Sequence, residues 1–172
     1  NLAHLDKMVS AEPSLPPRRV ASVLQEHFSM MAITGAVDVN TFPQGLISGV
    51  QIVTAYGSYI DKTLPAWWRD LDEGEMFELF RTALTDAVPG ASFPAGLLGL
   101  LGTSAEITAA EGRALRAAGR AAAAAGASVS IRLDAAARRG PEVAGVLTGA
   151  GLAPERILFC NIDKVLDLDY VS

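Results

Sequence analysis

Arg132 and Asp134 are the residues whose type and position most directly suggest chemistry in this sequence. Arg132 lies near the end of an apolar run, 127–133, that predicts a buried strand, and Asp134 follows the run. A buried guanidinium needs an anion, because an unpaired charge away from water is very costly. We therefore expect Arg132 either to bind a substrate carboxylate, phosphate or enolate bidentately or to pair with an acidic side chain. Asp134 is a poor direct partner at this spacing, and Asp163, His4 and a carboxylate from outside are the other candidates.

Five more side chains have chemistry that a site could use. His4 could serve as a general acid or base, or be a ring that is simply hydrogen-bonded. Asn161 could donate to a developing oxyanion, whereas its neighbour Cys160 is expected to pack as an apolar residue rather than act as a nucleophile. Tyr56 and Tyr59 follow another predicted strand and could form the wall of a substrate pocket.

The elements that position these residues alternate between strand and helix, which indicates an α/β fold. The central unit is an apolar strand at 96–101, an Ala-rich helix at about 105–125 and a second apolar strand at 127–133. Both strands lack polar alternation, which is typical of parallel strands covered on both faces. In folds of this class the functional residues lie at the carboxyl ends of the strands.

The other elements follow from hydrophobic periodicity and from the positions of Gly and Pro. Thr103 and Ser104 are predicted to cap the central helix, with Glu106 close behind, and the alternative is that this helix N-terminus binds an anion. The remaining predictions are strands ending at His4 and covering 36–39, 50–56 and 157–161, helices covering 17–32, 73–87 and 141–148, a helix start within 166–171, and a long loop at 57–72.

Composition limits the class of protein. The 172 residues are 50% hydrophobic and 19% charged, which predicts one globular domain over 1–172. A net charge of −5 without a basic stretch argues against nucleic acid as a partner. A single cysteine precludes an internal disulfide, and no apolar run approaches the ~20 residues of a membrane span.

The start of the sequence bears on localisation and processing. We find no signal peptide and therefore expect a cytoplasmic protein. The sequence begins with Asn1 instead of Met, so we expect a chain that is processed, truncated or part of a longer polypeptide.

Four segments together resemble the phosphotriesterase-related branch of the amidohydrolase superfamily. They are GAVDVNTF from Gly35, VTAYGSYIDKTLPAWWRD from Val53, AGLLGLLGTSAEITAAEGRALRAAGRA from Ala95 and ERILFCNIDKVLDLDY from Glu155. The resemblance implies a TIM-type (β/α)8 barrel of which this chain supplies about six of the eight β/α units. Open sheet edges are a hazard, so we expect an oligomer, or a second chain or remaining segment that supplies the last strands.

The resemblance also implies a site whose metal ligands this chain has largely lost. Such proteins hydrolyse phosphoesters, lactones or related carbonyl compounds with two divalent metals, usually zinc, about 3.5–4 Å apart. Arginine cannot give up its proton to bind a metal, so we expect no cofactor here unless another chain completes a zinc site. The ligand positions of the family correspond to Leu2 and His4 (His-x-His), Gly99 or Leu100 (the bridging ligand), Arg132 (the strand-five His) and Asn161 (the strand-six His), and the strand-eight Asp lies beyond this sequence.

Three functions remain open at the level of sequence. The first is a protein that binds or acts on a small organic substrate without metals, with His4, Arg132, Asp134 and Asn161 as candidate catalytic residues and Tyr56, Tyr59 and Cys160 as candidate substrate-binding residues. The metal-free reactions open to it are proton transfer, cyclisation and ester or lactone hydrolysis. The second is a non-catalytic subunit that pairs with another chain. The third is a zinc hydrolase completed by a partner.

Overall fold

The computed structural model describes residues 30–33, 51–89, 91–165 and 167–171. The chain divides into two compact units, one of 1–33 with 38–53 and one of 34–37 with 54–172. The candidate site belongs to the second unit. Whether the chain is the single domain that composition predicts stays a prediction. Within the described residues, no helix is both long and apolar enough to cross a membrane.

Parallel strands form the sheet of the second unit. The strands in the described residues are β1 (Met30–Ile33), β2 (Gln51–Tyr56), β3 (Leu97–Gly102), β4 (Ser128–Arg132) and β5 (Ile157–Cys160). β1 belongs to the first unit, and the last three residues of β2 belong to the second unit, where the strand order is β2-β3-β4-β5. The β2–β3, β3–β4 and β4–β5 pairs are all parallel. The helices are α1 (Ala66–Asp70), α2 (Glu73–Thr85), α3 (Ala109–Ala125), α4 (Gly140–Gly149) and α5 (Leu168–Val171).

Most of the predicted elements that fall on described residues are confirmed, with shifts of one to four residues at their ends. The helix predicted at 17–32 is wrong at its end, because Met30–Ile33 is a strand. This short apolar run fits either period, so spacing alone could not decide between helix and strand. The loop predicted at 57–72 contains helix α1. The strands predicted to end at His4 and to cover 36–39 lie outside the described residues, as does the rest of the 17–32 helix.

The hydrophobic core lies between the sheet and one layer of helices. Leu98 and Leu101 of β3 and Val129 and Ile131 of β4 are fully or almost fully buried on this side. Alanines fill most of the buried face of α3, and small side chains let a helix lie close to a sheet. Ser130 and Arg132 alternate with the core residues of β4 and therefore lie on the opposite face of the sheet.

A register shift in β3 lets both of its core leucines point at the helices. Leu98 pairs with Val129, but Leu101 pairs with Ile131, so β3 has one extra residue at this point. Gly99 lies in the shift with a φ of 149°, and a Cβ there would be 2.8 Å from the Cβ of Ser130. Only glycine fits this backbone and this close approach.

The start of α3 differs from the prediction. Thr108 caps the helix, its hydroxyl accepts a hydrogen bond from the Glu111 N–H, and the Glu111 carboxylate accepts one from the Thr108 N–H. The capping role predicted for Thr103 and Ser104 is therefore wrong. Thr103 instead continues the sheet, since its N–H donates to the Arg132 carbonyl at 3.0 Å. Thr103 with Glu106 and Thr108 with Glu111 both have the spacing of a capping box. The backbone of Thr103 is hydrogen-bonded to β4, so the helix begins after Thr108 instead.

Exchanging glycine for alanine at two positions should change stability in opposite directions. A Cβ at Gly102 would be 2.7 Å from the backbone nitrogen of Ile60, so Gly102→Ala should cost about 1–3 kcal/mol through overpacking. Gly145 lies exposed in α4 with nothing within 4 Å of the added Cβ, so Gly145→Ala should stabilise by about 0.5–1 kcal/mol. Urea denaturation midpoints measure both values. Equal effects of the two substitutions would contradict the close packing at Gly102.

Candidate functional site

Arg132 ends β4 on the face of the sheet that lies away from the helices. By register it is the neighbour of Gly102 on β3 and of Cys160 on β5. Ser130, two residues earlier on the same face, brings its Oγ to within 3.3 Å of the Cys160 Sγ. The structure thus brings Arg132 and Cys160, two of the predicted site residues, together at the carboxyl ends of neighbouring strands.

Tyr59 joins this group from the loop after β2. The guanidinium carbon of Arg132 lies 5.5 Å from the centroid of the Tyr59 ring, which is a cation–π contact. Tyr59 is 41% exposed and Arg132 is half-buried, so both are open to a ligand. Among the side chains that the structure describes, no carboxylate forms an ion pair with Arg132. His4 and the Asp163 side chain, two of the expected partners, lie outside that set.

Asp134 and Asn161 hold turns at the same end of the sheet. Asp134 Oδ1 accepts hydrogen bonds from the backbone N–H groups of Ala136 and Ala137, at 3.1 and 3.2 Å. This carboxylate therefore closes the turn after β4, as Asp often does. Asn161 lies just past the end of β5 with a φ of 66°, a backbone conformation that Asn tolerates better than most residues. The β5 strand thus ends one residue earlier than predicted.

Tyr56 lies on the other side of the sheet from Arg132. Its ring packs edge-on against Phe80 of α2, with the centroids 6.2 Å apart. The expectation that Tyr56 forms part of a pocket wall with Tyr59 is therefore corrected. Tyr56 still belongs to β2, where alternate side chains face opposite sides, whereas Tyr59 lies beyond the strand end. Trp68 also packs against Phe80 and holds the loop to the core, while Trp67 is exposed.

The sequence did not single out Glu111, yet this residue has the most hydrogen bonds at this end of the sheet. It is only 2% exposed. Its Oε1 accepts from the Asp61 N–H at 3.0 Å and from the Ser104 hydroxyl at 2.6 Å. Its Oε2 accepts from the N–H groups of Ser104 and Thr108, both at 3.1 Å. The Thr108-x-x-Glu111 spacing was the signal in the sequence, but it predicts only the bond to the helix cap.

The charged cavity nearest the loops after β3 and β4 does not include Arg132. Its volume is about 570 Å3. Arg139 contacts Glu142 at 2.8 Å, and Arg138 forms an ion pair with Asp167. These guanidinium groups are neutralised by the chain itself, so the Arg132 group is the better candidate for binding an anion.

At the expected metal positions that the structure describes, the side chains at 99, 100 and 132 do not fit a pair of divalent cations. Glycine at 99 and leucine at 100 offer no ligand atom, and the Cβ clash at Gly99 leaves no room for a longer side chain. Arg132 is a permanent cation that has no lone pair to donate. Within the described part of the chain, no group of three or more His, Cys, Asp or Glu side chains could hold a metal. The role of His4 stays a prediction, because that residue is not described.

Solved structures of similar fold match the chain over most of its length. They are a phosphotriesterase homology protein from Escherichia coli complexed with phosphate in its active site (TM-score 0.81, 19% identity, 90% of this chain and 55% of that one), a resiniferatoxin-binding protein from Rhodobacter sphaeroides (0.83, 19%, 91% and 47%), and a protein described as organophosphate hydrolysis activity engineered from a weak promiscuous lactonase template (0.77, 22%, 92% and 55%). The chain spans about half the length of each.

These matches establish the fold class, which is the TIM-type barrel expected from the resemblance. The model of the phosphotriesterase family matches residues 43–172, and the chain belongs to this family. The number of β/α units can be counted only where the structure describes them, and five strands fall there.

Burial raises the pKa of Tyr56 above its ordinary value of 10.0. A raised pKa in the folded state means that this group's contribution to stability is complete below about pH 10 and is lost as the pH rises through the folded value. We therefore expect the wild-type chain to lose stability above about pH 10 more steeply than Tyr56→Phe, as measured by urea midpoints across the alkaline range. Identical pH profiles would contradict the buried position of Tyr56.

Proposed function

We propose that this phosphotriesterase-family chain binds a small organic anion through Arg132 and acts on it without the two metals of the family. The observation that carries the proposal is the pair of residues at two expected ligand positions. Gly99 and Leu100, the two alternatives for the bridging position, offer no ligand atom, and Arg132 brings a positive charge to the same end of the sheet. A fixed guanidinium repels a dication but attracts a carboxylate, phosphate or enolate.

The geometry around Arg132 supports an anionic ligand with an organic body. The Tyr59 ring orients the guanidinium without neutralising its charge, so the attraction for an anion remains. Leu158 lies on the same face, one alternate position before Cys160, and is 50% exposed. A ligand held at Arg132 would thus have both an aromatic and an aliphatic surface within reach.

The name of one structural relative supports an anionic ligand, and the names of two others support a ligand with an organic body. One relative holds phosphate in its active site, one binds resiniferatoxin and one derives from a lactonase. We infer that the substrate of this chain contains or generates an oxyanion at the position of Arg132. In proton transfer, cyclisation or ester and lactone hydrolysis, a preorganised guanidinium would stabilise that negative charge.

A second candidate function is a non-catalytic subunit of a larger assembly. The carboxylate of Asp134 is already engaged in its own turn, and Asn161 serves as the turn after β5. The hydrogen bonds of Asp134 support a structural role for one of the four predicted catalytic residues, and the left-handed backbone of Asn161 suits a turn. Under this alternative the site binds a ligand and a partner but does not turn the ligand over. The zinc hydrolase completed by a partner is not supported, because the partner would have to place metals beside Arg132.

Replacing Arg132 should abolish anion binding and leave the fold intact. In NMR titrations of the full chain with inorganic phosphate, we expect saturable shifts in the wild type, none in Arg132→Leu and weaker ones in Arg132→Lys, which cannot bind bidentately. Arg81→Leu is the matched control, since Arg81 is a partly exposed arginine of α2 that forms an ion pair with Glu78. Elemental analysis of protein expressed with added zinc should find far less than one zinc per chain.

Three outcomes would overturn the proposal. Two bound zinc ions per chain would show that the inherited metal site survives. A loss of more than about 3 kcal/mol of stability in Arg132→Leu would identify Arg132 as a member of a buried ion pair. Phosphate binding that persists in Arg132→Leu would place the anion site elsewhere.

A further inference from the structure

We propose that Glu111 is the positioning residue of the Arg132 site, because it holds the loop that presents Tyr59 to the guanidinium. The inference rests on the proposed function for its ligand, but its structural part can be tested without one. Glu111 does not contact Arg132 in the described structure. It acts through the backbone of the loops that follow β2 and β3.

The Glu111 carboxylate joins three elements at one point. It accepts from Asp61 in the loop after β2, from Ser104 in the loop after β3 and from Thr108 at the cap of α3. Three of its four donors are backbone N–H groups, which otherwise would be left without partners at the ends of these elements. Because the residue is 2% exposed, water cannot replace these bonds without opening the structure.

Tyr59 lies between two fixed points of its loop. On one side the Ser58 carbonyl accepts from the Gly102 N–H at 3.1 Å. On the other side the Asp61 N–H donates to Glu111 at 3.0 Å. Only Tyr59 and Ile60 lie between these points, so the ring has little freedom to leave the guanidinium while both bonds persist.

A glutamine at position 111 would not reproduce this arrangement. A carboxylate accepts at both oxygens, whereas an amide has one accepting oxygen and an NH2 group that only donates. In Glu111→Gln the side-chain NH2 group replaces one of the two accepting oxygens. It then faces a group of Asp61, Ser104 or Thr108 that also donates, so at least one of these hydrogen bonds must break. The Thr108 hydroxyl still accepts from the backbone N–H of residue 111, so the helix keeps half of its cap.

Glu75 offers a matched control on the neighbouring helix. It occupies the same capping-box position in α2, where its carboxylate accepts from the Asp72 N–H at 2.9 Å. Glu75 is exposed and reaches no loop at the carboxyl ends of the strands. Glu75→Gln therefore changes the same chemical group in the same helix position without touching the loop that carries Tyr59.

The first measurement uses no ligand. The Tyr59 ring should shift the side-chain resonances of Arg132 upfield in NMR spectra of the full chain, and Tyr59→Leu assigns that shift. We expect Glu111→Gln to lose most of the upfield shift while the amide pattern of the folded core is retained. Glu75→Gln should keep the shift. A Glu111→Gln spectrum with the Arg132 resonances unchanged would overturn the positioning role.

The second measurement uses inorganic phosphate as the probe. We expect the dissociation constant to rise about tenfold in Glu111→Gln and to stay unchanged in Glu75→Gln. If the wild type binds no phosphate, the proposed function fails, and the first measurement still decides the role of Glu111. If Glu111→Gln loses the ring-current shift but keeps its affinity for phosphate, then Glu111 positions Tyr59 but does not contribute to ligand binding. That result would contradict the inference.

Discussion

The buried carboxylate of Glu111 is the interaction on which the carboxyl end of this sheet depends. A buried polar group is costly unless it is hydrogen-bonded, and here four hydrogen bonds satisfy the two carboxylate oxygens. Those donors come from two loops and one helix cap. The carboxylate of Glu111 therefore fixes the positions of these three segments relative to one another. The loop with Tyr59 is therefore tied to a residue that is 50 positions away in sequence from Asp61.

The second constraint is the close approach of β3 and β4. The shift in β3 at Gly99 brings the backbone against Ser130, and it directs Leu98 and Leu101 into the core. A longer side chain at Gly99 would force these strands apart. Gly99 is one of the two alternatives for the bridging position, so the packing that requires glycine there also leaves that position without a ligand atom, and Arg132 on the adjacent strand brings a positive charge to the same end of the sheet.

Much of the second unit could be predicted from sequence because its signals are local. The uncharged runs that became β3 and β4, the Ala-rich helix between them and the position of Arg132 at a strand end all follow from periodicity and turn residues.

The failures arose where tertiary contacts decide between equivalent local patterns. Thr103 and Thr108 both fit a capping box, and only sheet pairing selects Thr108. The roles of Tyr56 and Tyr59 depend on where β2 ends, which spacing does not show. The bonds from Glu111 to Asp61 and Ser104 join segments whose proximity exists only in the folded chain.

The most direct test of a guanidinium in place of two metals is a crystal structure of the full chain grown with zinc and phosphate, with diffraction recorded at the zinc absorption edge. Our account predicts phosphate density against the Arg132 guanidinium, beside the Tyr59 ring, and no anomalous peak at the carboxyl ends of β3 to β5. Two zinc peaks about 3.5–4 Å apart at that position would contradict it.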